Sequence, residues 1–383
     1  MRRACLWLLG LLVLVPGCEP ATSHSRPLSA QEALSPGDFV GLIERISEEG
    51  GYFDTDNLIS NETGYLNVLD ALERTGASGG AYIGVGPDQN YSYVAALRPE
   101  IVFISDVRRD NQLHHLLLKA LIERAPTRIE FLAALHGLEP PAEPAAWTVR
   151  SVDDIVAWVD SASVQRGVLD GAAAGVALAR VGEEVERTIR AYGLGLSADD
   201  FDTIHRFHRT FAAAGMSLRF TTFGRPPRPY YPTYRQLTLE TDADGDQASY
   251  LASADRYAVV RELHLANRII PVVGDLAGAH ALREIGRVLE EFGVRLTGVY
   301  ASNVEFYLWQ ARTFERWLDN LAALPGAEDA VLIRSYFPNA GGGHPSAIPG
   351  YYATQSLQPV AVLLRGGFSS YRDVVTRDVL PLR

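Results

Sequence analysis

The chain has 383 residues, 47% of them hydrophobic, enough for one large or two medium domains with a sizeable core. Its 46 acids outweigh its 35 bases for a formal net charge of −11. With no basic block to set against that charge, nucleic acid is excluded as a partner on electrostatic grounds.

The first residues read as a leader. Arg2-Arg3 is a positive start, and Leu6 to Val15 is an apolar run too short to span a bilayer comfortably. Val15-Pro16-Gly17-Cys18 follows and resembles a bacterial lipobox, in which a small residue precedes the cysteine that becomes lipid-modified. Residues 1–17 are therefore expected to be a signal peptide, with Cys18 the lipidation site. Only two cysteines occur, Cys5 and Cys18, so cleavage and acylation would leave no free thiol. Residues 18–34 are polar and proline-punctuated and read as a tether. The expected location is the periplasmic face of a membrane or the outer surface, reached through export and anchored at Cys18.

Ser35-Pro36-Gly37-Asp38 opens a helix with a serine cap, proline at the first position and an acid in the first turn. Phe39, Leu42, Ile43 and Ile46 then share one face. Ser60-Asn61-Glu62-Thr63 reads as the cap of a second helix carrying Tyr65, Leu66, Leu69 and Leu72. Residues 79–93, GGAYIGVGPDQNYSY, read as a strand, a glycine turn and a helix start. Glu100 to Asp106 is a near-continuous apolar run ending in an acid, as in strands buried on both faces. Gln112 to Arg124 is helical. Strand, helix, strand, helix opens a doubly wound, mostly parallel α/β fold, and residues 35–134 form its first half.

Residues 135–265 form an insertion. EPPAEPAA breaks the chain at 139–146, Ser151 to Gly215 is helical, with Ser197 as one cap, and PPRPYYPTY at 226–234 is a proline-aromatic loop. The helices are expected to cap the α/β domain. The pattern returns over 266–383: a strand over Arg268–Asp275, a helix over Ala279–Phe292, a strand over Val294–Ala301, and last strands over Ala330–Tyr336 and Pro359–Leu364, with a glycine-rich loop at 338–350 between them.

Four stretches carry candidate chemistry. Gly84-Val85-Gly86-Pro87 lets backbone approach a ligand, although Gln89 stands where a dinucleotide fingerprint has its third glycine. Asp88, Gln89, Asn90 and Tyr91 continue that turn. Asp106 lies at the end of the next strand, where an acid accepts from ribose hydroxyls. A tight turn and an acid capping a strand end are the plainer reading. Arg108 and Arg109 are placed to grip a carboxylate or phosphate, or to form helix-start salt bridges. Gly274-Asp275 ends a neighbouring strand within reach of the same ligand. Asn303 and Glu305, in YASNVEFY, are the candidate substrate ligand and base, against a plainer reading as a helix cap with a first-turn acid.

The glycine turn and Asp106 resemble class I S-adenosylmethionine-dependent methyltransferases over the α/β core, outside residues 135–265. That resemblance implies S-adenosylmethionine or a related nucleoside as cofactor. SNET, YIGVGPDQNYSY, DVRRDN, YPTYRQL, VVGDLAG and YASNVEFYL are similar to stretches of an uncharacterised bacterial family over nearly the whole mature chain. This second resemblance implies the same core and no established activity.

No metal site is expected. Asp242 to Asp246 has the acids of a calcium loop, but Gln247 and Ser253 stand where glycine and glutamate belong. His205 and His208 lack an evident third ligand. Two functions follow: a group transferase, most simply a methyltransferase, or a binding lipoprotein that keeps the fold without the chemistry. They separate on the cofactor, because S-adenosylmethionine is made in the cytoplasm and an exported protein would not normally meet it.

Overall fold

Four apolar runs become the parallel centre of one six-stranded sheet. The computed structural model describes residues 32–168, 171–226, 228–338 and 343–383. The leader, Cys18 and nearly all of the tether lie outside the described residues. Among the described residues no helix is long and apolar enough to cross a membrane.

Helix α1 (Pro36–Ile46) starts as its sequence dictates. Ser35 caps it in a reciprocal box with Asp38, and Phe39, Leu42, Ile43 and Ile46 are buried. Helix α2 is shorter than expected, Leu69–Arg74. Residues 60–63 therefore do not cap it, and Glu62 is used elsewhere.

Strand β1 (Ala81–Gly84) leads through the glycine turn into α3 (Asn90–Leu97), then β2 (Ile101–Asp106), α4 (Arg109–Arg124) and α5 (Arg128–Leu135). The insertion contributes α6 (Val152–Val168), α7 (Gly171–Tyr192), α8 (Ala198–Ala214), the short α9 (Tyr234–Thr238) and α10 (Ala254–Leu265). The second half supplies β3 (Ile269–Val273), α11 (Ala281–Phe292), β4 (Leu296–Ser302), α12 (Val304–Gln310), α13 (Phe314–Ala322), β5 (Val331–Tyr336) and β6 (Thr354–Pro359). Helices α14 (Val360–Leu364) and α15 (Tyr371–Thr376) follow.

The strand order is β3-β2-β1-β4-β5-β6. Parallel pairing sets Ala81 beside Ile101 and Leu296, Val102 beside Ile269, and Gly298 beside Val331. Only β6 is antiparallel, Val331 facing Pro359 and Tyr336 facing Thr354. The order is compatible with a Rossmann-like fold, and the chain reverses its direction across the sheet between β1 and β4.

The expected last strand over 359–364 changes: β6 is TQSLQP, ending at Pro359, and residues 360–364 form the helix α14. An apolar run of that length has no period that distinguishes helix from strand. The polar residues of β6 are buried, and Gln355 and Gln358 are bonded inside the protein. Helices α7 and α8 pack on α4, which itself packs on β2 and β3, so they thicken one helical layer.

Candidate functional site

One cavity of about 510 Å³ opens at the carboxyl ends of β1, β2, β3 and β4, at the reversal of strand order. This is where open α/β sheets place ligands. Its walls come from the β1–α3 turn, Ser105 to Arg108, Gly274 to Leu276, Ser302 to Val304, and Phe306 to Leu308. Phe53 to Glu62, the loop with Phe220, Arg225, Tyr230 and Tyr231, and Tyr352 complete it. Helices α6, α7 and α8 contribute nothing to the lining. The proline-aromatic loop after them covers the cavity instead.

The β1–α3 turn is clamped from behind. Asn90 Nδ2 donates to the carbonyls of Val85 (2.8 Å) and Pro87 (2.7 Å), and its Oδ1 accepts from Tyr82 (2.8 Å). The Gly86 carbonyl accepts from Asn111 Nδ2 (3.1 Å) and His115 Nε2 (2.9 Å). His115 must carry its proton on Nε2, so its Nδ1 accepts from the Tyr91 hydroxyl at 2.8 Å. Burial pushes the His115 pKa down to about 4, which keeps the ring neutral.

The two glycines therefore do different things. A Cβ on Gly84 would meet Asn90 Oδ1 at 1.9 Å, so that glycine is required by the clamp and not by a ligand. Gly86 has φ +80°, a left-handed conformation suited to glycine, and lines the cavity. Asn90 and Tyr91 are buried behind the turn and do not line the cavity. Asp88 is also behind it, accepting from Tyr250 (2.9 Å) and Tyr234 (3.0 Å). Burial is the main cause of its pKa rising to about 6. Gln89 does line the cavity.

Asp106 lines the cavity but has no acceptor capacity left. Oδ1 accepts from the Arg108 backbone N–H (2.9 Å) and Nε (3.0 Å), and Oδ2 from Arg108 Nη2 (2.8 Å) and Asn111 Nδ2 (3.2 Å). The expected contact with a ribose is not available in this arrangement. Arg108 also donates to the carbonyls of Thr55 and Asp56, so it ties β2 to the 53–62 segment rather than holding an anion. Arg109 is outside the cavity and pairs with Asp200, whose pKa falls to about 2, chiefly through that hydrogen bond. Asp275 lines the cavity with a freer carboxylate. Oδ1 accepts from the Ala277 N–H at 2.9 Å, and Oδ2 accepts from no described residue.

The β4 end departs most from expectation. Asn303 lines the cavity; Glu305 does not. Glu305 is fully buried against Arg334, with Nε–Oε2 2.6 Å, and accepts from the Trp317 indole at 3.3 Å. The base role is withdrawn for it, because its carboxylate is turned away from the crevice and committed to an ion pair.

The acid in the wall beside the end of β4 is Glu62, which sequence reasoning assigned to a helix cap. Its Oε2 accepts from Tyr300 (2.5 Å), from the Ser335 hydroxyl and from Gln355 Nε2 (3.3 Å), and its Oε1 accepts from the Ser302 hydroxyl. Ser302 sits at a register shift in β4 with φ +49°, a left-handed conformation uncommon for serine. That bulge turns its hydroxyl onto Glu62. The available signal was β6, whose buried Gln355 needs an internal acceptor.

Residues 58–143 and 200–374 match the domain of unknown function DUF7790. The chain belongs to the DUF7790 family. The DUF7790 match contains Glu62, the β1–α3 turn, all four strand ends and the aromatic loop. It omits 144–199, which includes α6 and α7, two of the inserted helices that stay clear of the cavity. No curated protein matches the chain.

Proposed function

We propose that the cavity binds a nucleoside-type cofactor, S-adenosylmethionine or a related nucleoside, for transfer of a small group, most simply methyl, to an acceptor in the same cavity. The observation that carries this reading is the position of the cavity over four strand ends at the sheet's switch point. In this reading the core is methyltransferase-like. Its volume of about 510 Å³ suits a ligand of that size.

Of the residues expected from the sequence, Gly86, Gln89 and Asp275 line the cavity and fit such a group. Gly86 offers backbone without a Cβ, and Asp275 supplies the unspent acceptor for a ligand N–H or O–H. Asp106 acts one step removed, by fixing Arg108 and the segment at 55–56. S-adenosylmethionine would supply a methyl carbon activated by its sulfonium. The chain's own part is to orient that ligand along the β1–β3 edge and hold the acceptor under β4.

The second reading, a non-catalytic binding protein, is favoured by one observation: Glu305 is sealed away from the cavity. Mass spectrometry of ligand copurified with mature protein, followed by calorimetry, tests both. Asp275→Asn is expected to weaken nucleoside binding by ~1–3 kcal/mol. Absence of binding by S-adenosylmethionine and adenosine to the wild type sinks the nucleoside reading. Binding without turnover selects the second.

We further propose export and anchoring through Cys18. Cys18→Ala is expected to release the protein from membranes. Failure of a labelled fatty acid to mark the wild type refutes it.

A further inference from the structure

We propose that the half of the cavity under β4 and β5 binds a protonated amine with an apolar body. The inference rests on the cavity being a ligand site, as argued above, and names the acceptor class.

Charge is the first ground. The cavity wall carries three acids, Glu62, Asp106 and Asp275, and two bases, Arg108 and Arg225. Arg108 is spent on Asp106, and Arg225 pairs with Asp54 at 2.7 Å. Glu62 is only 1% exposed and is held by hydroxyls and an amide alone; none of the described cations pairs with it. A buried carboxylate with neutral donors only gains from an entering cation.

Hydrogen-bond capacity is the second. Gln89 is 5% exposed, and its Oε1 is buried with no partner among the described residues. The orientation of this amide is fixed by a relay. Gln89 Nε2 donates to the Tyr300 hydroxyl at 3.1 Å, and that hydroxyl donates to Glu62 at 2.5 Å. The unspent atom is thus an acceptor. Glu62 and Gln89 together ask for an N–H donor that is also positive. A neutral alcohol answers only Gln89, and a carboxylate or phosphate is repelled by Glu62.

Aromatic rings are the third. Phe53 and Tyr307 stand 5.4 Å apart edge to face, and Tyr307 continues to Phe306 at 5.5 Å. Across the cavity Tyr230 stacks on Tyr352 at 3.7 Å. Such rings take an apolar body and attract a cation to their faces.

The test is calorimetry at neutral pH with three probes that share a phenylethyl body: 2-phenylethylammonium, 2-phenylethanol and 3-phenylpropionate. The wild type is expected to bind the ammonium at least about tenfold more tightly than either control. Glu62→Gln is expected to abolish that preference, and Tyr307→Ala, at a partly exposed ring, to weaken ammonium binding about threefold to tenfold. Should Glu62→Gln not fold, the probe comparison on wild type and Tyr307→Ala decides alone. Equal or tighter binding of the anion, or no ammonium binding at millimolar concentration, overturns the proposal. Nucleoside titration of the same samples separates the two readings. Ammonium preference without nucleoside binding refutes only the cofactor, and nucleoside binding without ammonium preference refutes only this inference.

Discussion

The Arg334 guanidinium and the Glu305 carboxylate form an ion pair in which neither side chain keeps any exposed surface. Arg334 Nη1 also donates to Gln358 at 2.8 Å, so the pair ties the helix after β4 to β5 and to the edge strand β6. Removing one partner leaves the other charge buried and alone. Glu305→Gln is therefore expected to cost about 3–5 kcal/mol in urea unfolding. Ligand affinity of the folded fraction should not change. Lost affinity at unchanged stability would return Glu305 to the site.

Gly84 and Asn90 make a second prediction. A methyl group on Gly84 falls 1.9 Å from Asn90 Oδ1 and 2.8 Å from the Tyr82 ring. Gly84→Ala is expected to destabilise by ~1–3 kcal/mol through overpacking. Adding Asn90→Ala removes the nearest obstacle, so the double variant should cost less than the sum of the singles. Additive costs would show that the two residues do not meet, and Gly84 would again be open to a ligand.

These two pairs mark where the sequence was readable. Strands β1 to β5 announce themselves because parallel strands under helices are apolar on both faces, and the Ser35 and Ser197 caps carry their own local chemistry. Strand β6 does not, because Thr354, Gln355, Ser356 and Gln358 are polar and buried, each type usually read as surface. The side-chain partners of Gln355 and Gln358, namely Glu62, Ser335 and Arg334, lie at least 20 residues away in sequence. Periodicity sees neighbours three or four residues apart and says nothing of a pairing across 293 residues such as Gln355 with Glu62. The same limit explains Asp106. Its position at a strand end was legible, but its saturation by Arg108 and Asn111 depends on side-chain directions.

Asp106 and Arg108 can be tested as a unit. If the arginine fills the carboxylate, Asp106→Ala and Arg108→Ala break the same interaction. A double-mutant cycle on stability should return a coupling of ~0.5–3 kcal/mol. A coupling near zero would free Asp106 and restore it as a ribose acceptor.

Asp88 gives a pH signature. Its carboxylate lies behind the turn with Tyr234 and Tyr250, and burial outweighs their hydrogen bonds to raise its pKa to about 6. An unfolded aspartate titrates near about 3.9. Between those values the folded state holds more protons than the unfolded one. The stability this group contributes is fully present below about pH 3.9 and is lost as pH rises through about 6. Roughly two pKa steps correspond to about 3 kcal/mol. Asp88→Asn keeps a neutral acceptor for both phenols and cannot ionise. Its unfolding free energy relative to wild type should rise by up to about 3 kcal/mol between about pH 4 and about pH 7.5. Urea melts across that range check it. Parallel curves for the two proteins would mean that Asp88 is already ionised at the acid end, and that its two tyrosines and its own backbone solvate the charge despite the burial.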